Sequence, residues 1–218
     1  MERSLFGKIL VGAALFTAAA GAPWQTAAAE ENARGKALFD FCSTCHGIAG
    51  EGNPAVQAPA IAGLPQWYVE AQLRKFKTGA RGTHPDDSAG MRMRPMSLYL
   101  THDEDIAPVA AYVASLPRRK PEPTLSGGDA ARGQGLYATC AACHGPAAVG
   151  NQPMNAPPLA GSNDWYLLAQ LTKFKAGIRG ANPQDATGAL MRPMAMTLAD
   201  EQAMKDVIAY IMTLLEQE

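Results

Sequence analysis

The sequence predicts an all-α chain made of two tandem copies of one small domain. Three observations carry that prediction. From Cys42 onward the chain repeats at a constant offset of 98 residues. Small, apolar and charged residues recur at helical spacing in each copy, and no stretch alternates as a strand would. All four cysteines fall in two identical Cys-x-x-Cys-His clusters, Cys42 to His46 and Cys140 to His144. A chain of 218 residues has room for two small domains. Its formal net charge of −1 comes without any basic run, so no nucleic-acid partner is expected.

The elements follow in chain order. Arg3 and Lys8 precede a short apolar run, Ile9 to Ala20, and Ala27 and Ala29 form an Ala-x-Ala site before Glu30. This is the pattern of an export signal over residues 1–29, cleaved near Ala29. The run is shorter than the roughly 20 apolar residues that span a bilayer. The first domain, 30–117, opens with Gly35 and Phe39, four residues apart on one helix face, just before Cys42. A glycine there lets another helix approach closely. "QWYVEAQLRKFKTG" predicts a second helix closing at Gly79. A methionine-bearing segment, "MRMRPM", comes next, and its Arg-Pro step is expected to hold the chain extended. The last helix lies in "DIAPVAAYVASL", with Thr101 and Glu104 as a candidate capping box. Pro108 predicts a kink or a late start there. "PRRKPEPTLSGGD" reads as a linker, 118–130. The second domain, 131–218, repeats the pattern: Gly133 and Tyr137, "DWYLLAQLTKFKAG" and "LMRPM".

Four cysteines in an exported chain suggest two disulfides, and Cys with His suggests zinc. Neither reading uses the histidine that directly follows each pair. Cys-x-x-Cys-His is the attachment signature of c-type haem. Two thiols add to the two vinyl groups, and the adjacent imidazole binds iron from below. Two covalently bound haem c groups are therefore expected, at Cys42 and Cys45 and at Cys140 and Cys143, with His46 and His144 as iron ligands. Each haem also supplies core that a domain this small lacks.

Each copy resembles a class I cytochrome c, and the pair resembles the diheme cytochrome c4 family. The resemblance rests on the two clusters, the helix-one Gly and aromatic, "APAIAG" and "APPLAG", the "KFKxGxRG" helix end and the methionine segment before a helix with a tyrosine. It covers nearly all of the expected mature chain. It implies an all-α fold with two facing haems, and a periplasmic electron carrier, often membrane-associated. Such a carrier takes electrons from a quinol-oxidising complex or a dehydrogenase and delivers them to a terminal oxidase. The family usually opens its last helix with Ser-Asp. This chain has Thr101-His102 and Ala199-Asp200, which weakens those helix starts.

The resemblance assigns Met93 and Met191 as the sixth iron ligands, a choice that raises the reduction potential. Met96 and Met194 are the competing pair by repeat symmetry. It also sets the Pro59 and Pro157 carbonyls against the proximal histidines; simple turns are the alternative. Trp67 and Trp165 are candidates to donate to haem propionates, or to pack in the core. Arg81 and Arg179 are further candidates to pair with propionates, although solvated surface arginines are the commoner case. His84 and His102 have no histidine counterpart in copy two. No catalytic group is evident and each iron has a methionine at hand, so a carrier is expected and not an enzyme. The alternative is an electron-transfer subunit or partner of a haem enzyme, such as a thiosulfate dehydrogenase or a peroxidase.

Overall fold

The computed structural model describes residues 23–214. They form helices and short 3-10 turns, and no β-strand occurs among the described residues. Copy one holds α1 (Pro23–His46), α2 (Gln66–Thr78), α3 (Ser88–Leu98) and α4 (Ile106–Ser115). Copy two holds α5 (Ala130–His144), α6 (Asp164–Lys175), α7 (Ala186–Ala189), α8 (Met191–Met196) and α9 (Glu201–Ile211). The expected export signal lies, up to residue 22, outside the described residues. No described helix is long and apolar enough to cross a membrane.

In each copy the first helix crosses the last. A Cβ on Gly35 would overlap the Pro108 carbonyl, and one on Gly133 would overlap that of Asp206. Only glycine lets these backbones meet. The aromatic one turn later packs on the tyrosine of the last helix. Phe39 and Tyr112 lie 5.3 Å apart by ring centroid, and Tyr137 and Tyr210 lie 5.4 Å apart. Phe39 joins Leu73, Leu100, Ile106, Val109 and Val113 in one buried core. Tyr137, Leu167, Leu198, Val207, Ile208 and Ile211 form the other. Burying a side chain of this size contributes about 1.5–3 kcal/mol.

Local signals resolve unevenly. Gly79 takes a left-handed φ of 79° and closes α2, as the sequence predicts. The last helix of copy one starts late, at Ile106, which leaves Pro108 in the first turn where its missing N–H has no helical partner. The Thr101–Glu104 capping box does not form. Asp105 is the N-cap and makes no side-chain cap; its carboxylate instead accepts from Arg34 Nε at 2.9 Å. The weak start expected at Ala199-Asp200 is also corrected, because Asp200 caps α9 by accepting from Ala203 N at 2.9 Å. The Arg-Pro segments are not extended. Pro95 lies inside α3 and Pro193 in the first turn of α8. Asp87 and Asp185 cap these segments from upstream and start the turns that the prolines must then continue.

Residues 117–129 hold no helix, and they are pinned rather than loose. Asp164 accepts from Thr124 N at 2.5 Å and Leu125 N at 2.6 Å, and Arg118 Nε donates to Ala160 O at 2.8 Å. Between the copies lies a polar interface with approximate two-fold symmetry. Lys75 Nζ meets Asp185 at 2.5 Å, and the symmetry-related Lys173 Nζ meets Asp87 at 2.6 Å. Arg81 Nη2 donates to Gln170 Oε1, and Arg179 Nη2 to Gln72 Oε1, each at 3.3 Å. Exchanging the copies maps each contact onto its mate, as in a symmetric dimer.

Candidate functional site

Each Cys-x-x-Cys-His cluster closes a helix. In α1, Cys42, Cys45 and His46 occupy the last turn, so the two thiols, three residues apart, share one face. Cys140, Cys143 and His144 repeat this in α5. No disulfide joins the four cysteines. Burial pushes the Cys42 thiol up to about 11, and raises Cys140 as well. Among the described residues no three His, Cys, Asp or Glu side chains converge on one point, so zinc has no tetrahedral ligand set. A porphyrin supplies four nitrogens of its own and asks only for axial ligands.

His46 and His144 are buried. Nδ1 of His46 lies 2.8 Å from Pro59 O, and Nδ1 of His144 lies 2.7 Å from Pro157 O. A carbonyl can only accept, so each Nδ1 carries the proton and each Nε2 keeps its lone pair. Burial lowers both imidazole pKa values, partly opposed by the carbonyl. Both rings are therefore neutral at physiological pH and can bind iron through Nε2.

Met93 is half-buried on α3 and packs against the same core that Cys42 touches. Met96 is 38% exposed. In copy two Met191 is half-buried at the start of α8, and Met194 is 37% exposed. Trp67 and Trp165 sit half-buried in the first turns of α2 and α6, edge-on to Tyr68 and Tyr166. His102 is exposed, and His84 accepts from its own loop at Asp86 N, so neither is drawn to the cluster.

Arg81 and Arg179 are not solvated. They are enclosed between the copies, with each guanidinium over a phenylalanine ring, Phe76 at 4.6 Å and Phe174 at 4.5 Å. Nε of Arg81, Arg179 and Arg94 is buried with no acceptor among the described residues. Buried donors of this kind fit an anionic group, and haem propionates are such groups. Sequence reasoning missed this burial because only the facing copy encloses these residues. It missed Lys75, Lys173, Asp87 and Asp185 for the same reason. The repeated spacing Asp-x-x-Gly-x-x-Met was the available signal.

Comparison with known proteins agrees with this geometry. The profile of the family described as cytochrome c matches residues 32–117 and again 130–215. The chain belongs to the cytochrome c family. Its relatives place it among tandem cytochromes of the cytochrome c4 type. A cytochrome c4 of Azotobacter vinelandii is 31% identical over 84% of this chain and 87% of its own. A protein described as thiosulfate dehydrogenase electron acceptor, from Thiomonas intermedia, is 36% identical over 74% of this chain and 73% of its own. Among solved structures, reduced cytochrome c4 from Pseudomonas stutzeri superposes with a TM-score of 0.64 at 28% identity, covering 83% of this chain and 97% of that one. Thiosulfate dehydrogenase (TsdBA) from Marichromatium purpuratum superposes at 0.67 and 32% identity, covering 84% of this chain and 40% of that one. As a tandem cytochrome c, the protein carries two covalent haem c groups, with Cys42 and Cys45, and Cys140 and Cys143, positioned to attach them. It is a diheme electron-transfer protein.

Proposed function

We propose that the protein passes single electrons between redox proteins, with His46 and Met93 as axial ligands of one haem and His144 and Met191 of the other. The reading is supported above all by one observation: each copy holds a buried histidine bound through Nδ1 to a proline carbonyl, and the same copy carries a half-buried methionine at the matching repeat position. The bound haem supplies the one-electron couple. The Pro59 and Pro157 carbonyls fix the imidazole tautomer, and Trp67 and Trp165 would donate to the propionates of a bound haem. Met93 and Met191 would supply the second protein ligand of each iron and so leave no open position for substrate, which suits a carrier and not an oxygen-activating enzyme. The working domains are 30–117 and 131–218, exported to the periplasm after cleavage near Ala29, where peripheral membrane association would bring the carrier close to respiratory complexes.

Two routes fit. In one, a quinol-oxidising complex or dehydrogenase donates and a terminal oxidase accepts. In the other, the donor is a thiosulfate dehydrogenase, which the 36% identity to a thiosulfate dehydrogenase electron acceptor favours. A donor that releases two electrons per turnover suits a carrier with two haems. Stopped-flow mixing of the oxidised holoprotein with a thiosulfate dehydrogenase and thiosulfate separates the routes. Rapid reduction of both haems is expected on the second route. Reduction only by a quinol-oxidising complex would support the first. Rapid carbon monoxide binding by the reduced wild type would overturn the two-methionine carrier itself.

A further inference from the structure

Asp87 and Asp185 do two jobs at once. Each is almost fully buried, at 3% and 1% exposure. Each caps the methionine-bearing segment of its own copy: Asp87 Oδ1 accepts from Gly90 N, and Asp185 Oδ1 from Gly188 N, both at 3.0 Å. Gly90 and Gly188 make this possible, because a Cβ at either position would overlap the carboxylate. The methionine proposed as iron ligand follows six residues after each aspartate, at Met93 and Met191. Yet the counter-charge on each carboxylate comes from the opposite copy. Lys173 Nζ reaches Asp87 at 2.6 Å, and Lys75 Nζ reaches Asp185 at 2.5 Å. Lys75 also donates to Thr187 Oγ1, within α7 itself. Both lysines are largely enclosed, with side chains 17% and 18% exposed.

Arg81 adds a longer-range positive charge beside Asp87, but the only direct ion pair of each carboxylate among the described residues is with the lysine of the other copy. A buried carboxylate that loses its hydrogen-bonded cation is strongly penalised, and the surroundings must shift to rehydrate it. The element that would shift is the segment that the carboxylate caps. We propose that Lys75 and Lys173 are positioning residues that act across the interface, each holding the methionine-bearing segment of the other domain against its haem. The ligand set of each iron is then completed with help from its neighbour, one lysine for each methionine-bearing segment. A merely structural pair would bind the domains together without this crossed dependence. The inference rests on the ligand reading proposed above.

The test uses the full-length holoprotein with Lys75→Gln and Lys173→Gln made separately. Two signals report ligation: the sulfur-to-iron charge-transfer band of the oxidised form, and the ring-current-shifted methyl resonance of the bound methionine in the reduced form. Lys75→Gln is expected to weaken the share of both signals that belongs to the C-terminal haem, lower its potential and admit carbon monoxide there. The N-terminal haem should be unchanged. Lys173→Gln should do the reverse, and Lys75→Arg should restore the wild-type signals. Effects confined to the mutated domain's own haem, or equal in both, would overturn the crossed arrangement, as would unchanged spectra in both glutamine variants. Should Lys75→Gln fail to accumulate, Lys173→Gln and Lys75→Arg decide by the same signals. Failure of the ligand reading looks different: wild type would then lack the charge-transfer band, or Met191→Ala would leave it at full wild-type intensity.

Discussion

Met93 and Met96 stand three residues apart on α3, and the same pair recurs as Met191 and Met194 on α8. Spacing alone ranks neither member. Family resemblance favours the earlier member of each pair, and the later one is more than a third exposed, at Met96 and Met194. Met93→Ala and Met191→Ala should each remove the charge-transfer band of one haem, lower its potential and open its iron to carbon monoxide. Met96→Ala and Met194→Ala should leave optical spectra and potentials as in wild type. The opposite pattern would move the ligand one turn along the helix. The histidines were legible from their motif, whereas the acceptor on each Nδ1 was reached only through family resemblance. A backbone carbonyl thirteen residues away leaves no mark in side-chain chemistry.

At the scale of elements, the crossing of first and last helix depends on one glycine per copy. Gly133→Ala forces a methyl onto the Asp206 carbonyl and should cost about 1–3 kcal/mol, as overpacking commonly does. Gly135, two residues on, has open space where its Cβ would be, so Gly135→Ala should stabilise α5 by about 0.4–1 kcal/mol. Thermal unfolding of the two variants should therefore shift in opposite directions; shifts of one sign would contradict the crossing. The same helix pair is tied by Arg132 and Asp206. The Arg132 guanidinium, with donation from Asp129 N and Gln202, holds the Asp206 carboxyl well below the usual carboxylate range. A group lowered on folding stabilises above its unfolded pKa, about 4, and that contribution fades as pH falls through the folded value. Asp206→Asn should thus melt below wild type at neutral pH, and the gap should close progressively in acid. A gap independent of pH would show that the ion pair is not its source.

For the whole molecule, the two copies are similar but not equal. Residues 30–119 carry ten basic and ten acidic side chains, and residues 120–218 carry seven and nine. Arg92, in copy one, donates to Val56 O at 3.1 Å and Gln57 Oε1 at 3.0 Å, whereas Leu190 occupies its place in copy two. A positive charge about 10 Å from iron disfavours Fe(III) by roughly 0.4–1.7 kcal/mol at an effective dielectric near 20–80. That corresponds to about 20–70 mV for one electron. The N-terminal haem should be the one of higher potential, and a redox titration should resolve two steps. Arg92→Gln should draw them together by lowering the upper one; an unmoved upper step would assign the inequality to solvent exposure instead.

Local chemistry is written in the sequence because each signal lies within a few residues. Cys-x-x-Cys-His, the glycine that ends α2 and the late start imposed by Pro108 all follow from neighbours along the chain. Tertiary structure decided what depends on distant partners. Arg81 and Arg179 read as solvated until the facing copy encloses them. Asp105 sits at the start of α4, yet it is drawn to Arg34 and leaves the helix without a side-chain cap. Pro95 reads as a break, yet α3 runs through it, started by an aspartate whose cation sits 86 residues away in the other domain. A side chain's pattern fixes what it can bond to, but only packing fixes which partner comes within reach, and so which bond it makes.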